Sequence, residues 1–153
     1  FRIYRDVRFS KDKTPYNAHL HMLWSEKTGD AMAPAYFFGF APDRMDLGFG
    51  VTAMTGEALL RYRAFVDRWG DLLSETMAQT GVTLSDWGPA ALNRVPQPYP
   101  AVHPHGHLLK RKALVFHLPA PRDWRTRPGG LVSAVRAACV DVQPLADLLR
   151  SRL

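Results

Sequence analysis

The sequence predicts an α+β fold in which a mainly antiparallel sheet carries its helices largely on one face. Three features of the chain favour this class. Short segments with the alternation of strands follow one another through compact turns, as in hairpins. Residues 55–80 have the spacing of one long amphipathic helix. The other helical patterns come late in the chain and do not alternate strictly with strands, which disfavours a parallel sheet.

Five segments are predicted to be strands: residues 2–9, 17–24, 35–41, 47–54 and 113–118. The clearest hairpin joins the third and fourth segments, because the aromatic run that ends at Ala41 turns at Pro42 and a second apolar run follows. Gly48 and Gly50 share one parity of the returning strand. Glycines inside a strand usually mark a bulge or the close approach of another backbone.

The long helix is predicted to begin after Thr55, a suitable N-cap residue, and to stop at Gly81. Arg63 lies beside its apolar stripe, so its guanidinium is expected either to reach a partner at the sheet or to extend past the stripe to solvent. Five prolines exclude a regular helix from most of residues 82–107. Two shorter helices are predicted, at residues 131–139 and from Pro144 onward.

Length and composition indicate one globular domain, residues 1–153, with 46% apolar and 22% charged residues. Cys139 is the one cysteine, which excludes a disulfide or a cysteine-based metal cluster within the chain. A reducing compartment is favoured, and we expect a cytoplasmic protein. No apolar run approaches the length of a membrane span, so no membrane association is expected.

The net charge of +6 is concentrated in two segments. Residues 1–16 carry five basic and two acidic residues, and residues 103–127 carry six basic residues and one acidic residue. Such segments favour an anionic partner, either a small phosphate- or carboxylate-bearing molecule or nucleic acid. A solvated basic surface is the alternative, and we favour it for the second segment.

The first sixteen residues hold the densest set of chemically active side chains. In the predicted first strand, Asp6 and Arg8 share one face and Arg5 points to the other. The adjoining loop adds an acid, an amine and a phenol: Asp12, Lys13 and Tyr16. Guanidinium groups suit phosphate and carboxylate oxygens, which they bind with two parallel hydrogen bonds. A ligand site and a salt-bridge network that only ties the loop to the sheet are the two interpretations.

The same residues resemble a known family. The pattern R-x-x-R-D-x-R-F-x-x-x-[DN]-K-x-x-Y is met at every fixed position from Arg2 to Tyr16. On this pattern the chain resembles a mainly bacterial family, domain of unknown function 2461. The resemblance continues more weakly at residues 33–37, Gly48-Phe49-Gly50, Leu59 with Arg63, Pro96, Tyr99, His103-Pro104 and residues 109–112. It implies a site near the first motif and supplies no reaction.

The chain also departs from the family pattern. Pro98 stands where the family usually has glycine, and Val102 stands where it usually has aspartate before His-Pro. Family members generally carry a helical segment upstream, and we expect this chain to lack it. If that segment packs on the sheet, its absence exposes an apolar face, which favours association into a homo-oligomer.

The histidines do not predict a metal site. His103, His105 and His107 alternate on an extended segment, as metal ligands can, but no cysteine or acidic residue adjoins them. We expect no metal there or at His19 and His21. No cofactor is expected either, since neither a Walker A loop nor a Rossmann fingerprint is present.

We therefore expect a site for a small anionic ligand at the motif. Candidate ligand-binding residues are Arg5, Arg8, Lys13, Arg63, Lys110 and Lys112. Candidate acid–base or hydrogen-bonding residues are Asp6, Asp12 and Tyr16. The sequence leaves open whether a reaction follows binding. The alternative function is a nucleic-acid or protein-interaction module that uses the same basic surface.

Overall fold

Five strands and four helices form the part of the chain that the computed structural model describes, which is Tyr4 and residues 6–25, 32–42, 44–119 and 124–153. The strands are β1 (Leu20–Ser25), β2 (Ala35–Phe40), β3 (Met45–Val51), β4 (Thr83–Leu84) and β5 (Leu114–His117). The helices are α1 (Gly56–Thr80), α2 (Gly106–Leu109), α3 (Gly130–Asp141) and α4 (Gln143–Arg152). The predicted α+β class is confirmed.

The strands form one sheet in the order β1-β2-β3-β5-β4, and every neighbouring pair is antiparallel. β2 and β3 are the predicted hairpin. Because successive side chains of a strand point to opposite sides, the register defines two faces. One carries Phe38, Phe49 and Phe116, and we call it the helix face. The other carries Phe37 and His117, and we call it the open face.

All four helices contribute to one apolar core on the helix face, as the sequence predicted. Phe49 and Phe116 are fully buried there. Tyr62 of α1 is also fully buried, and its hydroxyl donates a hydrogen bond to the carbonyl of Leu108 at 2.9 Å. The hydroxyl of Tyr62 is therefore hydrogen-bonded while its ring is buried. Burial of a large apolar side chain contributes about 1.5–3 kcal/mol to the free energy of unfolding.

Helix α1 follows the predicted range but is kinked. Thr55 precedes it in an extended conformation without a side-chain cap bond, and Gly81 ends it in the left-handed region. Trp69 has φ −124° and ψ 15°, which are not helical values. The kink adjoins Gly70, where the ring of His105 lies against the helix. None of the helices in the described ranges combines the length and apolarity needed to cross a membrane.

The first predicted strand is wrong for residues 6–9, which form a turn region. Among the described residues of that segment, Tyr4 alone pairs, in an isolated bridge with Tyr16. The carboxylate of Asp6 accepts the backbone N–H of Arg8 at 3.2 Å, and such local bonds compete with strand pairing. Phe9, expected to face inward, is 96% exposed. Residues 1–3 and Arg5 lie outside the described residues.

Strand β4, at the edge of the sheet beside β5, was not predicted. β4 has only two residues, which is too short for an alternation pattern, and it pairs with β5 through Thr83 opposite His117. The four-residue helix α2 was missed for the same reason. The second predicted strand begins later than expected, at Leu20.

Gly50 is the position at which the sheet depends most on a missing side chain. Its φ is +138°, and a Cβ there would overlap the carbonyl of Leu114 on β5. We expect Gly50→Ala to lower the free energy of unfolding by about 3 kcal/mol or more, because backbone strain and strand displacement add. Gly39→Ala is the matched control, since a Cβ there meets only ordinary contacts at 3.5 Å.

Urea unfolding of both variants and the parent measures the difference. The control should change the free energy of unfolding by less than about 0.5 kcal/mol. Equal losses in the two variants would contradict the close approach of β5 to Gly50.

Candidate functional site

Asp6 and Arg8 of the motif are paired with each other. Arg8 donates from Nε to Oδ1 of Asp6 at 3.0 Å and from Nη2 to Oδ2 at 2.7 Å. The side chains of Arg8 and Asp6 are 78% and 53% exposed. The guanidinium lowers the pKa of the Asp6 carboxyl below its usual value. This is a solvated surface ion pair rather than a buried network.

The rest of the motif makes short-range contacts. Lys13 Nζ donates to the carbonyl of Val7 at 3.0 Å. Asp12 Oδ1 accepts from the backbone N–H and the hydroxyl of Thr14 at 3.0 and 2.6 Å. The ring of Tyr16 lies 5.6 Å from that of Tyr4, centroid to centroid. These bonds shape a loop, and the ligand role of its residues stays a prediction.

The other three predicted ligand residues lie elsewhere. Arg63 Nε donates to the carbonyl of Leu109 at 3.4 Å, so its partner is in α2 and not in the sheet. The half-buried Lys110 and Lys112 accept backbone bonds from Leu92 and Met54 at their carbonyls. The ligand role of Arg63, Lys110 and Lys112 stays a prediction.

Two of the three clustered histidines pair with aspartates of α1. His103 Nε2 lies 3.1 Å from Asp67 Oδ1, and His105 Nε2 lies 2.9 Å from Asp71 Oδ1. The two aspartates are one helical turn apart and so face the same segment. The histidine side chains are only 9% and 12% exposed. Sequence reasoning missed these carboxylates because they lie 36 and 34 residues from their partners.

The hydrogen bonds of His103 define its tautomer. Its Nδ1 accepts the backbone N–H of His105 at 3.0 Å. An accepting nitrogen carries no proton, so Nε2 carries it and donates to Asp67. Both nitrogens are used within the protein, which leaves no lone pair for a metal. Among the described residues, no group of three or more His, Cys, Asp or Glu side chains is arranged to hold a metal ion, and the expected absence of a metal stays a prediction.

A groove of about 820 Å³ lies on the open face of the sheet. Its floor includes Gly39 and Gly48, where no side chains fill the space. Trp87 forms a wall, with its ring edge-on to Phe37 at a centroid distance of 5.3 Å. Gly88 follows Trp87 and has a φ of +112°. It packs closely against the chain after β3, since a Cβ on Gly88 would lie 2.7 Å from the carbonyl oxygen of Thr52.

The strand register gathers polar groups at one end of this groove. His21, Gly39 and Asp46 lie side by side on β1, β2 and β3. A Cβ on Gly39 would lie 3.5 Å from the ring of His21 and from Cβ of Asp46, so these side chains flank the glycine. Arg44 Nε donates to Asp46 Oδ2 at 3.1 Å. His117 lines the groove from β5.

Sequence reasoning did not identify this groove. The polar residues that line it come from three strands and three loops, and only the fold brings them together. The shared parity of Gly48 and Gly50 was the available signal, since it predicts missing side chains on one face. An aromatic wall with a few hydrogen-bonding groups is typical of small-molecule sites.

A sequence model of the family described as conserved hypothetical protein DUF2461 matches residues 1–148 of the 153 in the chain. The chain belongs to this family. No curated protein and no solved structure matches it.

The stretches that resemble the DUF2461 pattern lie in two parts of the fold. Gly48-Phe49-Gly50 lies in β3, beside β5. Tyr99 and His103 lie against α1, with ring centroids 6.2 Å apart. Burial, and secondarily the charge of Asp67, raise the pKa of the Tyr99 phenol. Residues 103–105 are thus held against α1 by the His103–Asp67 and His105–Asp71 pairs.

The contact between Gly70 and His105 can be tested by a double-mutant cycle. A Cβ on Gly70 would lie 2.6 Å from Cγ of His105, so we expect Gly70→Ala to lower the free energy of unfolding by about 1–3 kcal/mol. With His105→Ala the obstructing ring is gone, and the same change should then stabilise by about 0.5–1 kcal/mol through helix propensity. Urea unfolding gives the coupling energy. Additive effects would show that the ring does not press on the helix.

The exposed motif residues Arg8 and Lys13 should contribute little to the free energy of unfolding. Arg8→Ala and Lys13→Ala are expected to leave Tm unchanged, because their partners remain solvated. Tyr62→Phe is the control, since it removes the buried hydrogen bond from the Tyr62 hydroxyl to the Leu108 carbonyl, which keeps the backbone N–H of Arg111 as its donor, and it should cost about 0.5–1.5 kcal/mol. Thermal melts compare the three. A loss for Arg8→Ala as large as for the control would make the motif a structural clasp.

Proposed function

We propose that the protein binds a small anionic ligand in the groove on the open face. The supporting observation is the groove itself, which has about 820 Å³, an aromatic wall and a polar end. Ligand sites typically occupy about 300–1,000 Å³ and combine apolar lining with a few placed polar groups.

The apolar part of the ligand would lie against Trp87 and Phe37. Trp87 is 54% exposed, so a flat ring that covers it removes apolar surface from water. The glycines of the floor allow such a ring to approach the backbone of β2 and β3 without meeting side chains. An aromatic or similarly flat group fits this half of the groove best.

The anionic part would lie at the polar end. His21 and the guanidinium of Arg44 supply hydrogen-bond donors there, beside the carboxylate of Asp46, and His117 lines the groove one cross-strand row away, opposite Gly48. Asp86 lies with Ser85 and Trp87 instead, and it is 3.5 Å from Arg111. A carboxylate or phosphate suits these donors, since charge-assisted hydrogen bonds are stronger than neutral ones.

The motif at residues 6–16 is the second candidate location for the anion. Its exposed cations favour it, but Arg8 and Lys13 already donate to Asp6 and to the carbonyl of Val7. A nucleic-acid function rests on the net charge of +6 alone. The groove has both space and mixed chemistry, and we therefore favour it.

Thermal shifts with a panel of aromatic carboxylates and their uncharged amides test the proposal. A ligand that binds only the folded state raises Tm, and the carboxylates should do so more than the amides. Gly39→Val should abolish the response, because its side chain fills the floor between His21 and Asp46 where a Cβ fits without a clash. Ser25→Val is the control, an exposed position of the same face outside the groove lining.

The double variant Arg8→Ala, Lys13→Ala distinguishes the two locations. We expect it to keep the response of the parent. Loss of the response there, with a normal response in Gly39→Val, would move the anion site to the motif.

A further inference from the structure

The sheet ends at β1, whose outer edge pairs with no strand among the described residues. An edge strand presents unpaired N–H and C=O groups at alternate residues, and natural proteins protect such edges with proline, lysine or inward charges. The six residues of β1 contain none of these. Met22 and Leu23 are 54% and 63% exposed. Within the described ranges, this edge is open to another extended chain.

An apolar groove of about 420 Å³ lies along this edge on the helix face, between β1 and α3. Met22 and Trp24 line it from the strand, and Leu131, Val132 and Val135 line it from the helix. Val132 is 78% exposed, which is unusual for an apolar helix residue beside a groove. Burial raises the pKa of the Cys139 thiol at its base, so this wall stays uncharged. Contiguous apolar surface of this kind marks an interaction site.

One cation stands at the rim of the apolar groove. Arg136 is exposed and has no hydrogen-bond or ion-pair partner within the described part of the chain. A free guanidinium binds carboxylates well, and the net charge of +6 draws anionic partners to the surface. A partner that carries a carboxylate beside its apolar groups would therefore bind this groove better than a wholly apolar one.

We propose that an extended acidic and apolar segment of a partner protein docks here by adding a strand to β1. Its backbone would pair with the open edge, its alternate apolar side chains would enter the groove, and a carboxylate would meet Arg136. Strand addition draws affinity from main-chain hydrogen bonds and specificity from pockets for alternate side chains, and this surface offers both. The surface lies on the opposite side of the sheet from the proposed ligand groove, and the inference does not depend on that groove.

The two other occupants fit less well. A second copy joined through β1 would bring two chains of charge +6 together. A fatty acid would fill the groove but would leave the edge of β1 unpaired.

The test measures fluorescence anisotropy with a labelled peptide of about eight residues that alternates valine with threonine and glutamate. We expect saturable binding by the parent. Val132→Lys should weaken it by about tenfold or more, because a charge enters the groove. Val140→Lys is the matched control, an exposed valine of α3 outside the groove lining, and it should bind like the parent. Arg136→Glu should weaken binding, and Arg94→Glu, with the same change of net charge, should weaken it less.

Several outcomes would overturn the proposal. Absence of saturable binding, or equal weakening by both lysine variants, would remove the groove as the docking surface. A dimer in sedimentation velocity that Val132→Lys dissociates would give the surface to a second copy. Dodecanoate that raises Tm in a Val132-dependent way, in protein that does not bind the peptide, would give it to an acyl chain.

Discussion

The close approach of β5 to the glycines of β3 is the constraint on which both faces of the sheet depend. A Cβ at Gly50 would overlap the carbonyl of Leu114, and one at Gly48 would lie 3.1 Å from the carbonyl of Phe116. Phe49, between the two glycines, is fully buried on the helix face. The tripeptide Gly48-Phe49-Gly50 therefore places one aromatic ring in the core and leaves two positions on the open face without side chains. The groove on the open face has Gly48 in its floor, where the close approach of the Phe116 carbonyl favours a residue without a side chain.

Interactions that are local in sequence could be predicted, and those set by distant partners could not. The periodicity from Leu59 onward and the stop at Gly81 predicted α1, because a helix depends on neighbours three and four residues away. The hairpin around Pro42 was predicted for a similar reason. Residues 6–9 alternate like a strand, but the Asp6–Arg8 bonds form a turn instead. Two-residue β4 exists only because β5 pairs with it.

The candidate sites follow the same rule. The motif residues were found in the sequence, and the structure gives them local, exposed contacts. The groove that now carries the functional proposal is assembled from side chains such as His21 and His117, which only the sheet register brings to one face. The carboxylates that pair with His103 and His105 could not be predicted for the same reason, since Asp67 and Asp71 lie in α1, more than thirty residues away along the chain.

Amide chemical-shift mapping by NMR is the most direct measurement of where a small anionic ligand binds. With an aromatic carboxylate as the titrant, saturable shifts are expected at Gly39, Gly48 and the indole N–H of Trp87, which border the groove. Residues 6–16 should shift no more than they do with inorganic sulfate. Saturable shifts confined to residues 6–16, with the groove resonances unchanged, would contradict the open face as the ligand site.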